Sequence, residues 1–360
     1  ATGLTAGNLY YFRVVGVKSG NESDPTNVYD TYFKITVDTT KAGSANTHFV
    51  LPVTAKSAGD YYVDWGEGGA EETFTTTGNK DHTYAATGTY QVKVRGGLTA
   101  ISFADAGDKA KLMSIDNWGN IKWSSCTQMF QGCANVAATY IDQPNTAAVA
   151  LMYSMFRGCA LFNGSVSGFS TANVTNMAYM FQNCSVFNQS VSSFNTAKVT
   201  VMNNMFQNCF VFNQSVSNFN TSEVTVMAYM FQAAYAFNQS VANFDTKKVT
   251  NFASMFQGCT AFKQSLATFS LAAATNLTSM LQSCNINGAA STANYDATLE
   301  AWGAQDPANS LTFSGGNTKY GEDLVDSGIT DGAAASKLIQ SGQNFITTVT
   351  VGDVVYNTTD

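Results

Sequence analysis

Charged side chains are scarce: they make up 12% of this 360-residue chain, about half the usual share. The hydrophilic surface must therefore be built from Ser, Thr, Asn and Gln. Basic residues number 18 against 25 acidic ones, a net charge of −7, and no long basic run occurs. That balance argues against a nucleic-acid partner and against an anionic membrane surface. No apolar run reaches the roughly 18 residues of a bilayer-spanning helix, so no membrane insertion is expected. The four prolines are too few for extended Pro-rich linkers. The opening ATGLTAGNLYYF has neither the charged start nor the apolar run of a signal peptide.

Catalytic patterns are missing as well. There is no GxSxG, P-loop or HExxH, and the two histidines make no Cys–His arrangement with an orienting group. Glu223 and Asp245 are the only carboxylates between Phe162 and Leu271. Two acids on separate repeats, with no cleft, do not make a glycosidase pair. His82 is expected to fix a turn through local backbone rather than act as a base. No enzyme activity, cofactor or metal is expected.

What the chain does have is a repeat. Met-Phe recurs at Met129-Phe130, Met155-Phe156, Met180-Phe181, Met205-Phe206, Met230-Phe231 and Met255-Phe256, with Met280-Leu281 as a decayed seventh copy; the spacing is 26 once and 25 thereafter. A fixed period of this length signals units that bury their apolar faces only by stacking. In the copy from Phe187, the apolar positions are Phe187, Val191, Phe194, Val199, Met202, Met205, Phe206 and Cys209. The alternation in QSVSS predicts a short strand with Val191 inward. Met202, Met205 and Phe206, at i, i+3 and i+4, predict one helical or 3₁₀ turn.

Three rows recur with the period. Cys133, Cys159, Cys184, Cys209, Cys259 and Cys284 each follow the pair by three residues, with Ala234 in the fifth copy and Cys126 outside the series. The alanine points to a small, buried apolar position; free thiols, bridges between neighbouring coils and metal ligation are the three states weighed. Asn163, Asn188, Asn213 and Asn238 share one position and are expected to form an internal amide ladder. Their Asn-x-Ser triplets look like glycosylation sequons but follow from the repeat itself. Ser190, Ser192, Ser215, Ser217 and Ser240 would line an exposed strand face. They are the candidate ligand-binding residues, although each is also an ordinary solvated serine.

Outside the repeats, TGLTAGNLYYFRVVGVKSGNESDPTNVY alternates Tyr10, Phe12 and Val14, then turns at Gly20 and Asn21. It resembles the last two strands of a fibronectin type III domain. Val63-Asp64-Trp65-Gly66-Glu67-Gly68, His82-Thr83-Tyr84 and Gly88-Thr89-Tyr90 resemble the signatures of PKD-like domains, with Glu67 where Asp is usual. Tyr90, Val92 and Val94 would face inward. This module, the segment Ser114-Ile115-Asp116-Asn117-Trp118-Gly119 and the FNQSV…VTxM…MFxxC repeats together resemble the BspA-like surface-protein family, with its Cys-containing leucine-rich-type repeats. At Cys126 that pattern leads one to expect a larger apolar residue. Tyr295, Leu299 and Trp302 in YDATLEAWGAQ are expected to cap the open end of the repeat core. From Gly321 the chain resembles β-rich segments of phage structural proteins, and both termini read as interior points of a longer chain.

The expected fold is thus mainly β with short helical turns: a leucine-rich-repeat-like solenoid of about seven 25-residue coils flanked by small β-sandwich modules. The expected divisions are 1–32 (fibronectin type III-like), 33–105 (PKD-like), 106–290 (repeats), 291–320 (cap) and 321–360 (a further β segment). The resemblance implies an extracellular or cell-surface adhesin that binds host or neighbouring-cell proteins or glycans. The alternative is a virion or filament subunit (a phage fibre, spike or decoration protein) on a virion surface, contacting copies of itself or other virion proteins. An odd number of cysteines suits assembly in a reducing compartment.

Overall fold

A computed structural model describes residues 31–284, with residues 17–18, 21–22, 293–295, 297–298, 301–302, 305, 348–351 and 354–357. The described chain is mainly β. Two antiparallel strand pairs form sheets of their own: β1 (Val17–Lys18) with β2 (Asn21–Glu22), and β10 (Thr348–Val351) with β11 (Val354–Asn357). The remainder of the fibronectin-like segment and of the segment after Gly321, together with Leu299, lies outside the described residues.

Residues 33–138 build one open sheet of seven strands: β3 (Phe33–Asp38), β4 (His48–Asp64), β5 (Glu72–Phe74), β6 (Gly78–Thr83), β7 (Thr89–Ile101), β8 (Leu112–Asn117) and β9 (Ala137–Ala138). The order is β5-β4-β7-β3-β8-β9, with β6 also on β4. In place of the two stacked sheets of a sandwich, hydrogen bonds join every strand to a single path. The long strand β4 makes this possible. Register shifts between Val53 and Tyr61 bend it, so its first half pairs with β6 and its second half with β5. Strict alternation buries Phe33, Ile35 and Val37 of β3 and Val92 and Val94 of β7; Tyr90 is only partly buried. β8 pairs with β3, and β9 of the first repeat pairs in parallel with β8. The expected division at residue 105 therefore falls within a continuous sheet and a continuous core.

A buried ion pair locks this junction. Lys111, in the 3₁₀ turn Lys109–Lys111, donates to the carbonyls of Ser44, Ala45 and His48 at 3.1, 2.9 and 2.7 Å. Asp108 accepts from the N–H groups of Ser44 and Val50 at 2.6 and 2.8 Å. Both side chains are fully buried and lie 3.6 Å apart. Removing either leaves an uncompensated buried charge, at a cost of about 3–5 kcal/mol.

Beyond Trp118 the repeats stack one on another in parallel. Single-residue bridges run from Leu151 to Asn176, Val201, Val226, Asn251 and Asn276. This ladder passes through the Val-Thr-x-Met segment, not through QSVSS, which is turn and irregular backbone. The expected helical turn is also absent. In the copy from Thr200, the N–H groups of Met202, Asn204, Phe206 and Asn208 donate to Val226, Ala228, Met230 and Gln232 of the next coil at 3.2, 3.0, 2.8 and 2.8 Å. The intervening N–H groups of Met205, Gln207 and Cys209 close turns onto Met202, Asn204 and Phe206. A helix would spend all of these donors internally. The alternation is possible because two residues in each coil are left-handed. One precedes the Met (Gln128, Ser154, Tyr179, Asn204, Tyr229, Ser254, Ser279), and the other precedes the Cys position (Gly132, Gly158, Asn183, Asn208, Ala233, Gly258, Ser283).

Two rings per coil stack along the axis. Phe130, Phe156, Phe181, Phe206, Phe231 and Phe256 follow one another at 5.5–5.8 Å between centroids. Phe162, Phe187, Phe212, Phe237 and Phe262 form a second column at 6.0–6.1 Å. Within each coil the columns touch at 4.0–4.3 Å.

The left-handed positions yield a direct test. A Cβ costs about 1–2 kcal/mol in that conformation, and one built on Gly258 meets no atom closer than 3.7 Å. Ala233→Gly should therefore raise stability, and Gly258→Ala lower it, each by about 1 kcal/mol in urea denaturation. Opposite signs, or no change in either variant, would remove the left-handed turns from the account.

Candidate functional site: the stacked rows of the repeat

Because equivalent residues lie one above another, each polar residue meets its own kind. Asn163, Asn188, Asn213 and Asn238 accept, through Oδ1, the backbone N–H of Asn188, Asn213, Asn238 and Lys263 at 2.9–3.0 Å. Gln189, Gln214, Gln239 and Gln264 donate to the same oxygens at 3.0–3.2 Å. The carbonyl oxygens of these asparagine side chains are thus committed to the neighbouring coil.

The thiols are buried and unbridged. Cys159, Cys184, Cys209, Cys259 and Cys284 donate to the carbonyls of Phe130, Phe156, Phe181, Phe231 and Phe256 in the coil before, at 2.8–3.1 Å. Ala234, itself fully buried, interrupts the row. Cys133 begins it, and Cys126 occupies the position held in later coils by Met152, Met177 and Met202. Burial pushes every thiol upward, Cys284 to about 12 and Cys159 and Cys209 well above the ordinary value. Among the described residues no group of three His, Cys, Asp or Glu could hold a metal ion, and no helix is long and apolar enough to cross a membrane.

Ser190 and Ser215 donate to Ser192 and Ser217 at 3.0 Å, and the N–H groups of Ser192, Ser217 and Ala242 return to Ser190, Ser215 and Ser240 at 3.3 Å. All five serines are exposed, but on turn (Ser192, Ser217) or irregular backbone (Ser190, Ser215, Ser240) rather than on a strand face. In the sheet, His82 meets carboxylates instead of backbone: Nε2 is 3.0 Å from Glu67 Oε2, and the ring stacks on Trp65 at 4.7 Å. Glu67 also accepts the Ala85 N–H at 3.0 Å, a bond that draws its carboxyl below the ordinary value, with His82 adding to the effect.

Three rows escaped the sequence reading. Thr146, Thr171, Thr196, Thr221 and Thr246, all nearly fully buried, donate to backbone carbonyls one coil on at 2.8–3.1 Å. Gln182, Gln207, Gln232, Gln257 and Gln282 pass an amide bond from coil to coil. Both rows have a fixed spacing that could have been counted. The third row is exposed and apolar: Leu161, Val186 and Val211, flanked by Phe210 and Tyr235, whose rings stack at 5.1 Å. Its signal was variation. The residue after the Cys position changes through Ala160, Ser185, Phe210, Tyr235 and Thr260, whereas the core positions scarcely change.

A family model described as "Mycoplasma protein of unknown function, DUF285" matches residues 101–211 and again 189–295. The chain belongs to this family. The DUF285 matches together cover more than half of its length and contain every row described above. No curated protein and no solved structure matches it.

In the DUF285 stack the thiols tie stability to alkalinity. A thiol whose folded pKa is raised holds its proton longer than it does in the unfolded chain, so stability is full below the unfolded value near 9 and falls above it. Each thiol contributes about 1.4 kcal/mol per pH unit over that window. The expected outcome is that Ellman's reagent modifies none of the seven cysteines at pH 8 without denaturant and all of them in guanidinium, and that the denaturation midpoint drops steeply above pH 9. Rapid labelling of the folded chain would contradict the buried row. Separately, Thr171→Val removes the hydroxyl that both donates to Asn195 O and accepts its N–H, at 3.0 and 2.7 Å, and should cost about 1–3 kcal/mol. A neutral Thr171→Val in urea denaturation would show that row to be dispensable.

Proposed function

We propose that the repeats form a solenoid of leucine-rich-repeat type, as in the BspA-like proteins they resemble, and that this solenoid is a non-enzymatic recognition surface displayed outside the cell. Its partners are proteins or glycans of host or neighbouring-cell surfaces. Residues 33–105 are read as its PKD-like support, and residues 1–32 as the end of a fibronectin type III-like module.

The observation that carries this reading is the exposed apolar row. Leu161, Val186 and Val211 are 55, 40 and 46% exposed, and Phe210 and Tyr235 are 39 and 48% exposed. Large apolar side chains in contact with water weaken a protein's solubility unless they meet a partner, and aromatic residues dominate binding energy at interfaces. Spacing them one coil apart on a rigid ladder supports several simultaneous weak contacts, which multiply avidity. Serine pairs and amides beside the row offer polar contacts of low charge.

A second reading, a virion or filament subunit, is favoured by the seven unbridged thiols. Proteins assembled in a reducing compartment keep free cysteines without penalty.

Beads coated with the full chain should adhere to host or neighbouring cells above an albumin-coated control. The Phe210→Ser/Tyr235→Ser double variant should lose tenfold or more of that adhesion, with little change in melting temperature. Equal adhesion by the variant would overturn the role of the row. No adhesion by the parent chain, with incorporation into particles, would replace this reading by the second.

A further inference from the structure

The glutamine row has one break. Its position reads Gln131, Arg157, Gln182, Gln207, Gln232, Gln257 and Gln282. From Gln182 onward each side-chain amide donates to the next, so each later Oε1 has a donor one coil before it. Gln182 Oε1 does not, because Arg157 stands there; the oxygen is buried without a partner, on a side chain only 8% exposed. The Arg157 guanidinium lies instead over the ring of Tyr179, 5.4 Å from its centroid, and Tyr153 meets Tyr179 edge-on at 5.6 Å. Ser154, fully buried and on the same coil as Arg157, holds a hydroxyl that also has no partner.

Arg157 has no ion pair and no side-chain hydrogen bond among the described residues. By contrast, Arg95 is paired with Glu71. The three carboxylates between residues 118 and 285 have other partners: Glu223 has Lys248, Asp245 has Lys247, and Asp142 has the N–H groups of Trp118 and Gly119. From residue 118 to 285 the chain carries six basic and three acidic side chains, against an acidic excess overall. The repeats are thus a locally cationic surface on an anionic protein.

We propose that Arg157, Tyr153 and Tyr179, with Gln182 Oε1 and Ser154 Oγ, form a binding site for a carboxylate-bearing sugar. The guanidinium fork matches a carboxylate bidentately. The tyrosine rings offer flat apolar faces for the C–H side of a pyranose. Gln182 Oε1 accepts only, so the ligand must bring a hydroxyl as well as an anion; sulfate and fully ionised phosphate bring acceptors alone. In the free protein Arg157 covers Tyr179. A carboxylate draws the guanidinium off that ring and opens its face, and a ligand hydroxyl takes the place of the amide donor that Gln182 Oε1 lacks. This inference rests on the recognition reading above but uses a different part of the surface.

The test is titration of the full chain with a glucuronate-terminated oligosaccharide, its carboxyl-reduced neutral counterpart, inorganic sulfate and a Glu-rich peptide, followed by NMR of the Tyr153 and Tyr179 rings. The acidic sugar should bind at least tenfold tighter than the neutral one, shift both tyrosines, and weaken as salt rises from 50 to 500 mM. The decisive variant is Arg157→Gln, which installs the residue found in the other coils. It should fold with equal or greater stability and bind the acidic sugar no better than the neutral one. Arg157→Lys should retain part of the charge-dependent affinity. Equal binding of both sugars, unchanged binding by Arg157→Gln, or tighter binding of sulfate or peptide would each overturn the proposal. Phe210→Ser/Tyr235→Ser should bind the acidic sugar normally. If the parent chain adheres to cells through Phe210 and Tyr235 while the sugar fails to bind, recognition stands and this site falls.

Discussion

Backbone donors decide this architecture. Each coil must supply N–H groups both to its own turns and to the coil beside it, and the two left-handed residues per coil let it do both. They alternate the direction in which successive peptide groups point, so a run of turns behaves toward its neighbours as a parallel strand does. Once that alternation fixes the offset between coils at one repeat, every side chain stands above its counterpart. The phenylalanine columns, the thiol row and the amide rows follow from the offset and need no separate cause.

Stacking in register satisfies polar groups at interior positions and creates a difficulty at the ends. At the first coil the difficulty is met by the sheet, because β9 pairs with β8 and the core passes into it without a gap. At the last coil the C-terminal residues imitate a missing neighbour. In the interior, Asn218 and Asn243 reach back to two carbonyls each, those of Val191 and Phe194 and of Val216 and Phe219. At the end the corresponding carbonyls, Leu266 and Phe269, are met by Trp302 Nε1 and Gln305 Nε2 at 3.2 and 2.8 Å. Thr298 Oγ1 and Gln305 Oε1 accept the N–H groups of Leu266 and Leu271.

The period was legible because the Met-Phe pair scarcely varies, and the Asn and Cys rows because each holds one rare role at one spacing. Local conformation was harder to read. Met202, Met205 and Phe206 have the same spacing in a helical turn and in a chain of short turns, so apolar periodicity cannot separate the two. The distinguishing signal lay two residues after the Phe: Gly132, Gly158, Asn183, Asn208 and Gly258 share a position, and Gly and Asn are the residues that tolerate left-handed backbone. QSVSS misled for a related reason, since two serines bonded across a turn alternate with valine just as a strand would. At the candidate binding surfaces, Phe210 and Arg157 were hidden because both depart from the repeat, and attention to what recurs passes over what differs.

The mimicry at the C-terminal end has a genetic corollary. Trp302 and Gln305 meet backbone carbonyls whose counterparts every interior coil also presents, whereas Leu271 replaces the threonine of the coils before it, so the last coil is fitted to its cap and the interior ones to each other. Gain or loss of one interior 25-residue coil would therefore slide between near-identical rungs and leave both closures intact. Reach is then the trait that unequal recombination adjusts most freely, while the pattern of side chains on each rung is inherited with the unit that carries it.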